Sequence, residues 1–127
     1  MRIAATVLAL YLTACASVAP RIEQPVLSDR LFCGLSIPGG GVVTQSDVDA
    51  FIREIVEPRF PQGFTVSRAR GHWRGGNEET MVIEIIRPMT MRDENAVAEI
   101  ADEYRRRFRQ EAVLRVMMPA RMELVEE

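Results

Sequence analysis

The chain has 127 residues, 47% of them hydrophobic, enough for one core and too few for a second domain of ordinary size. Its sixteen positive charges are all arginine and stand against eighteen acidic groups, for a net charge of −2. No basic field is concentrated enough to grip a nucleic-acid backbone, and nucleic acid is set aside as a partner.

The first residues read as an export signal. Arg2 supplies a minimal positive region, and Ile3 to Leu12 is an apolar run well short of the about 20 residues needed to span a bilayer. Leu12-Thr13-Ala14-Cys15 resembles the lipobox of bacterial lipoproteins, in which the Cys becomes the lipidated first residue. By the same resemblance, Ala16 after it favours the outer membrane. Ordinary signal cleavage is the alternative, because Ala14-Cys15-Ala16 also fits a small-x-small site. The expected organisation is a lipoprotein signal peptide over 1–14, a tether over 15–28 and a single domain over 29–127. That domain would face the periplasm and meet the membrane through its lipid anchor. With Cys15 acylated, Cys33 is the sole thiol and no internal disulfide can form.

Leu31, Cys33, Leu35 and Ile37 alternate with Phe32, Gly34 and Ser36, which predicts a strand over 30–37. After Pro38-Gly39-Gly40-Gly41, Thr44 and Asp47 occupy the N-cap and third positions of a helix. Val43 and Val48 form its staple, and Val48, Phe51, Ile52, Ile55 and Val56 its apolar stripe, up to Pro58. The glycine run reads as a flexible turn, since no Lys-Ser/Thr follows to make it a phosphate loop. Phe64 to Arg74 predicts a second strand. Phe64 and Val66 lie on one face and Ala69, Gly71 and Trp73 on the other, which suggests a bulge near Ser67 or Arg68. Gly75-Gly76-Asn77 is the expected hairpin turn into a third strand over 80–86, apolar on nearly both faces. A second helix is predicted over 92–109, with Val97, Ile100, Ala101, Tyr104 and Phe108 inward and the pairs Asp102–Arg106 and Glu103–Arg107 outward. A fourth strand follows over 112–118.

The order β-α-β-β-α-β specifies an α+β, ferredoxin-like layer: a four-stranded antiparallel sheet in the order 4-1-3-2 with two helices on one face. In this order the third strand separates Cys33 from His72 by about 10 Å, too far for a nucleophilic pair. One His and one free Cys do not make a tetrahedral metal site, and neither a cofactor nor a catalytic residue is assigned. The stretch Arg68-Ala69-Arg70-Gly71-His72-Trp73-Arg74 holds the only His and the only Trp. Arg70, His72, Trp73, Arg74, Glu79 and Glu111 are therefore the candidates for contact with a ligand or partner of unknown identity. The plain reading makes His72 a surface imidazole and gives the Ala69, Gly71, Trp73 face to packing. Trp73 and Glu111 lie on opposite edges about 14 Å apart, where they could share a pocket only across the sheet.

Leu31-Phe32-x-Gly34, Pro58-Arg59-Phe60-Pro61-x-Gly63-Phe64-Thr65-Val66, Gly71-x-Trp73-Arg74 and Phe108-x-Gln110-Glu111-x-Val113-Leu114 together resemble the small secreted bacterial proteins of domain-of-unknown-function family 3574. The resemblance covers roughly residues 29 to 116. It implies export and a domain boundary but no reaction. His72 and Ala112 depart from the pattern, which leads one to expect Gln and Ser at those positions.

The leading expectation is a non-enzymatic envelope lipoprotein whose uncovered sheet face, with Phe32, Val82, Ile86 and Leu114, binds a partner or forms a homodimer. The alternative is a small ferredoxin-like enzyme, acylphosphatase-like or cofactor-free monooxygenase-like, on fold analogy alone. A subunit that takes an amphipathic ligand between helices and sheet is a third reading.

Overall fold

The computed structural model describes residues 25–125; the signal peptide, Cys15 and most of the tether lie outside them. The elements are β1 (Val26–Gly34), α1 (Gln45–Phe51), β2 (Thr65–Trp73), β3 (Gly76–Pro88), α2 (Met91–Arg107) and β4 (Leu114–Ala120). All pairings are antiparallel in the order β2-β3-β1-β4, the expected ferredoxin-like order read from the other edge. The first strand begins four residues earlier than the alternation suggests, at Val26, because its pairing with β3 and β4 runs to Pro88 and Ala120.

Local sequence accounts for the helix starts. The Thr44 hydroxyl accepts from the Asp47 N–H while the Asp47 carboxylate accepts from the Thr44 N–H, a reciprocal cap; the Thr44 hydroxyl and then this N–H, both donating to the carboxylate, hold the Asp47 carboxyl below its usual range. Past Phe51 the helix widens into a π-helical turn over Ile52–Val56, closed by the Glu57 N–H on the Ile52 carbonyl at 3.0 Å. Thr90 caps α2 through the Asp93 N–H. Of the two expected i, i+4 pairs on α2, Asp102–Arg106 forms. Glu103 bonds Arg106 instead, and Arg107 reaches across to Glu54 on the π turn at 2.8 Å, tying the two helices together.

The core lies between the helices and one face of the sheet. Leu31, Cys33, Leu35, Met81, Ile83 and Ile85 meet Val48, Phe51, Val56, Val97, Ile100, Tyr104 and Phe108 there. Phe51 packs edge-on against Tyr104, with ring centroids 5.2 Å apart, and Phe108 completes the aromatic group 4.8 Å from Tyr104.

At the far end of the same face the alternation places charge where apolar residues would be expected. Asp29 and Arg87 are buried and paired. Arg115 bonds Asp29 at 2.7 Å and Glu94 at 2.7 and 2.9 Å, and Arg87 also reaches Glu94. Two cations and two anions thus close a neutral ring that joins β1, β3, β4 and the first turn of α2. Hydrogen bonds from Arg115 and then Arg87 hold the Glu94 carboxyl below its ordinary 4.5. A carboxyl depressed in the folded state stabilises above its unfolded pKa and loses that contribution as it is protonated. Melting temperature is therefore expected to fall as the pH drops below 4.5, with a flatter profile for Glu94→Gln. Coincident profiles for the two proteins would contradict this role.

Candidate active site on the open sheet face

Strand parity decides what the uncovered face presents. β2 pairs with β3 in unbroken register from Thr65↔Glu84 to Trp73↔Gly76, so the expected bulge near Ser67 is absent. Phe64 and Val66 lie on the helix side, and Ala69, Gly71 and Trp73 lie on the open side. The expected Gly75-Gly76-Asn77 turn is replaced by a two-residue loop, Arg74-Gly75, with φ of 47° and 82°. Positive φ at both central positions matches the right-handed strand twist that a tight hairpin requires.

Across the sheet, Ala69 stands opposite Thr80, and Thr80 opposite Gly34. One position along, Val82, Phe32 and Leu114 form the next row. The first row and the neighbouring Gly71 carry small side chains or none, and they leave a hollow. Trp73 borders it on one edge, while Phe32, Leu114, Ile37 and Pro38 provide further apolar wall. The result is a pocket of about 720 Å³ at the sheet rim, within the size range of small-molecule sites. Trp73 is 54% exposed, so the assignment of the Ala69, Gly71, Trp73 face to packing is corrected: that face lines the pocket. Apolar surface continues beyond it at Ile86 and Met118, while Val82 is covered and Phe32 half-covered.

Polar groups enter from three directions. Glu78 lies opposite Gly71 on β3, and its carboxylate crosses over Gly34: a Cβ built on Gly34 would sit 2.3 Å from Glu78 Oε1 and 3.0 Å from Gln110 Oε1. Gln110, buried in the loop after α2, donates its amide to the carbonyls of Ser36 at 2.9 Å and Phe108 at 3.3 Å. Below the floor the Tyr104 hydroxyl donates to the Gly34 carbonyl at 2.7 Å. Burial first, then the neighbouring Cys33, Glu78 and Asp47, raise that hydroxyl well above its ordinary range. Arg74 closes the rim by pairing with Glu111 at 3.0 Å, its guanidinium 5.7 Å from the Trp73 ring centre.

Five of the six sequence candidates, Arg70, His72, Trp73, Arg74 and Glu111, border this pocket; Glu79 does not, and pairs with Arg70 at 3.3 Å. Trp73 and Glu111 do share one pocket across the sheet. Arg74 follows the end of β2 in a left-handed conformation and its long side chain bridges to Glu111, while small residues leave the space between open. Glu78, Gly34 and Gln110 were not among the candidates; Gly34 and Gln110 stood among the residues that carry the family resemblance. The signal for Glu78 was its place two residues from Thr80 on the same strand face. Cys33 points into the core, and burial pushes its thiol up to about 12, so it is no nucleophile at neutral pH. Among the described residues, no group of three or more His, Cys, Asp or Glu side chains is placed to hold a metal, and no helix is long and apolar enough to cross a membrane.

Comparison with known proteins adds three findings. The family model described as Protein of unknown function (DUF3574) matches residues 28–124. No curated protein matches. Among solved structures, a phage SAM lyase in complex with S-methyl-5′-thioadenosine superposes with a TM-score of 0.52 at 23% identity, and a phage SAM lyase in the apo state with 0.54 at 20%. Each match covers 87% of this chain and 100% of the other, and at these identities the likeness is one of fold. These matches overturn the leading expectation of a non-enzymatic interaction module, and with it the leaning against enzymatic activity. A lyase shares this architecture over its whole length.

Proposed function

The chain belongs to the DUF3574 family of proteins of unknown function, and we propose that it is a small enzyme that takes an S-adenosylmethionine-type nucleoside into the open-face pocket. The observation that carries this reading is a half-exposed indole, Trp73, beside a hollow floored by Gly34, Ala69 and Gly71 and entered by the Glu78 carboxylate. An indole face stacks well on a purine, and a nucleoside fits the space. The phage lyases of the same fold support the choice of substrate class. An acylphosphatase-like activity gives way to it, because the carboxylate over Gly34 would repel a phosphate. The monooxygenase-like alternative has no feature of the pocket in its favour.

In the reaction so proposed, the bond between the sulfonium sulfur and the amino-acid γ carbon breaks, and the electron pair goes to sulfur. S-methyl-5′-thioadenosine leaves as a neutral thioether. The four-carbon fragment closes its valence either through its own carboxylate oxygen, as a lactone, or by losing a β proton. Neither route needs a protein nucleophile; the pocket supplies orientation and partial exclusion of water. Incubation with S-adenosylmethionine is expected to release S-methyl-5′-thioadenosine, measured by liquid chromatography. Trp73→Ala should lower the rate on the order of tenfold to a hundredfold, as loss of a stacked base contact implies. Folded protein that releases no thioether above the uncatalysed background would end this reading.

The site residues Arg70, His72, Arg74 and Glu111 enter the proposal as the rim of that pocket, and Glu79 as the partner of Arg70. The envelope address belongs to it as well: lipidation at Cys15, a periplasmic domain and outer-membrane retention. Cys15→Ser is expected to release the protein from the membrane fraction, and an unmodified N-terminus at Ser17 in the wild type would contradict it. A homodimer across the open face completes the reading, because Ile86 and Met118 are 39% and 40% exposed beyond the pocket. Light scattering should then show a dimer that Ile86→Glu converts to monomer.

A further inference from the structure

The floor of the pocket has a charge pattern that packing alone does not require. Glu78 is half-buried, its carboxylate still reached by water, and it has neither a hydrogen bond nor an ion pair among the described residues. The pocket's other carboxylate, Glu111, is held by Arg74. Beside Glu78, the Gln110 side chain is oriented by its two donations to the Ser36 and Phe108 carbonyls. That fixes the amide, so its oxygen, and not its nitrogen, faces Gly34. Gln110 is 9% exposed, and its oxygen accepts no hydrogen bond among the described residues.

Gly34 is what lets these two oxygens meet. Any larger residue would place its Cβ 2.3 Å from Glu78 Oε1 and 3.0 Å from Gln110 Oε1. The atoms nearest that spot are thus the Glu78 carboxylate and the Gln110 amide oxygen, two acceptors and one of them charged, in a recess whose wall is largely apolar. Two acceptor oxygens, one of them carrying a full charge and neither paired within the described chain, favour a cation placed beside them. An anion would be repelled. A divalent metal needs more ligands than one carboxylate and one amide, whereas a small organic cation needs only the charge and an apolar or aromatic wall.

We propose that the Glu78–Gln110 cradle over Gly34 binds the cationic centre of an organic ligand, a sulfonium or ammonium group carried by a nucleoside-type molecule. This rests on the open-face pocket being the ligand site and does not rest on turnover there. It assigns Glu78 the recognition of charge and Gln110 its orientation. The neutral thioether of the same skeleton is accordingly a weaker ligand, which favours product release after a reaction that discharges sulfur.

The test is equilibrium binding by calorimetry to the folded chain of two probes that lack the scissile sulfonium. Sinefungin carries a protonated amine where S-adenosylmethionine has sulfur, and S-adenosylhomocysteine is neutral there. Sinefungin is expected to bind about tenfold tighter or more, as a charge-assisted contact in a half-buried site implies. Glu78→Gln should bring the two affinities within about twofold of each other and leave that of S-adenosylhomocysteine unchanged. Gly34→Ala, which displaces the carboxylate, should do the same; circular dichroism confirms that each variant is folded. Equal affinities in the wild type, or an undiminished preference in Glu78→Gln, overturn the cradle even if S-adenosylmethionine is turned over. Charge-dependent binding without turnover leaves the cradle standing and removes the enzymatic reading. Failure of both probes to bind overturns both.

Discussion

Exchanging Arg87 for methionine is expected to lower the unfolding free energy by about 3–5 kcal/mol, the range for breaking a buried ion pair from one side. Methionine keeps most of the aliphatic stem, so the loss reports charge more than volume. Arg87 is 1% exposed and bonds Asp29, which is fully buried, and Glu94. Without it, the ring holds two carboxylates against Arg115 alone. The surplus negative charge must stay buried, take up a proton or draw in water, and each course weakens the fold. Urea denaturation of the two proteins measures the difference; a change below about 1 kcal/mol would mean that the ring is no more than a surface pair. Adding Asp29→Leu to Arg87→Met leaves Arg115 and Glu94 as a neutral couple. The double variant should therefore be more stable than the sum of the single losses predicts.

Phe51→Ala is expected to have a comparable effect, about 3–5 kcal/mol, for a different reason. Phe51 is fully buried at the last turn of α1, edge-on to Tyr104 and 6.0 Å from Phe108. Truncation opens a cavity that the sheet below cannot collapse to fill. The damage also reaches the pocket, because Tyr104 holds the Gly34 carbonyl from beneath. Ligand binding measured well below the new melting temperature should weaken along with stability. Tyr104→Phe keeps the ring and removes only the hydroxyl, and it is expected to affect stability by about 1 kcal/mol. If Phe51→Ala melts like the wild type, the aromatic group is not the centre of the core.

Periodicity made the scaffold legible. Val48 and Phe51 on α1, Val56 on the π turn after it, Val97, Ile100 and Tyr104 on α2, and Leu31 and Cys33 on β1 are buried where their spacing places them. The topology followed from element order, since only a few arrangements of β-α-β-β-α-β satisfy short connections and a covered sheet face. What failed was the reading of single residues within the pattern. Asp29 is in phase with Leu31, Cys33 and Leu35, and that placement of a charge among core positions was the available sign of the buried ring. Its partners Arg87, Glu94 and Arg115 are distant in sequence, and no local rule brings them together.

The pocket was half visible for a similar reason. The strand from Arg68 to Arg74 was recognised as the place where chemistry gathers, but its two faces were exchanged. Small residues were taken as a sign of close packing, when here Gly34, Ala69 and Gly71 mark space that nothing in the chain fills. A glycine in a strand admits either reading. Only the neighbouring strand, with Glu78 and Thr80 in register beside it, distinguishes them.

Cys33 supplies a reporter that comes with the sequence. Its side chain is fully enclosed, and a thiol pushed up to about 12 scarcely ionises at neutral pH, so reagents reach it only when the sheet and helices part. In a Cys15→Ser background the rate of thiol labelling therefore times the opening of the core directly, without a spectroscopic probe or an engineered tag. The same seclusion would spare the domain from unwanted cross-linking in the periplasm proposed above, where an exposed lone cysteine would be a liability.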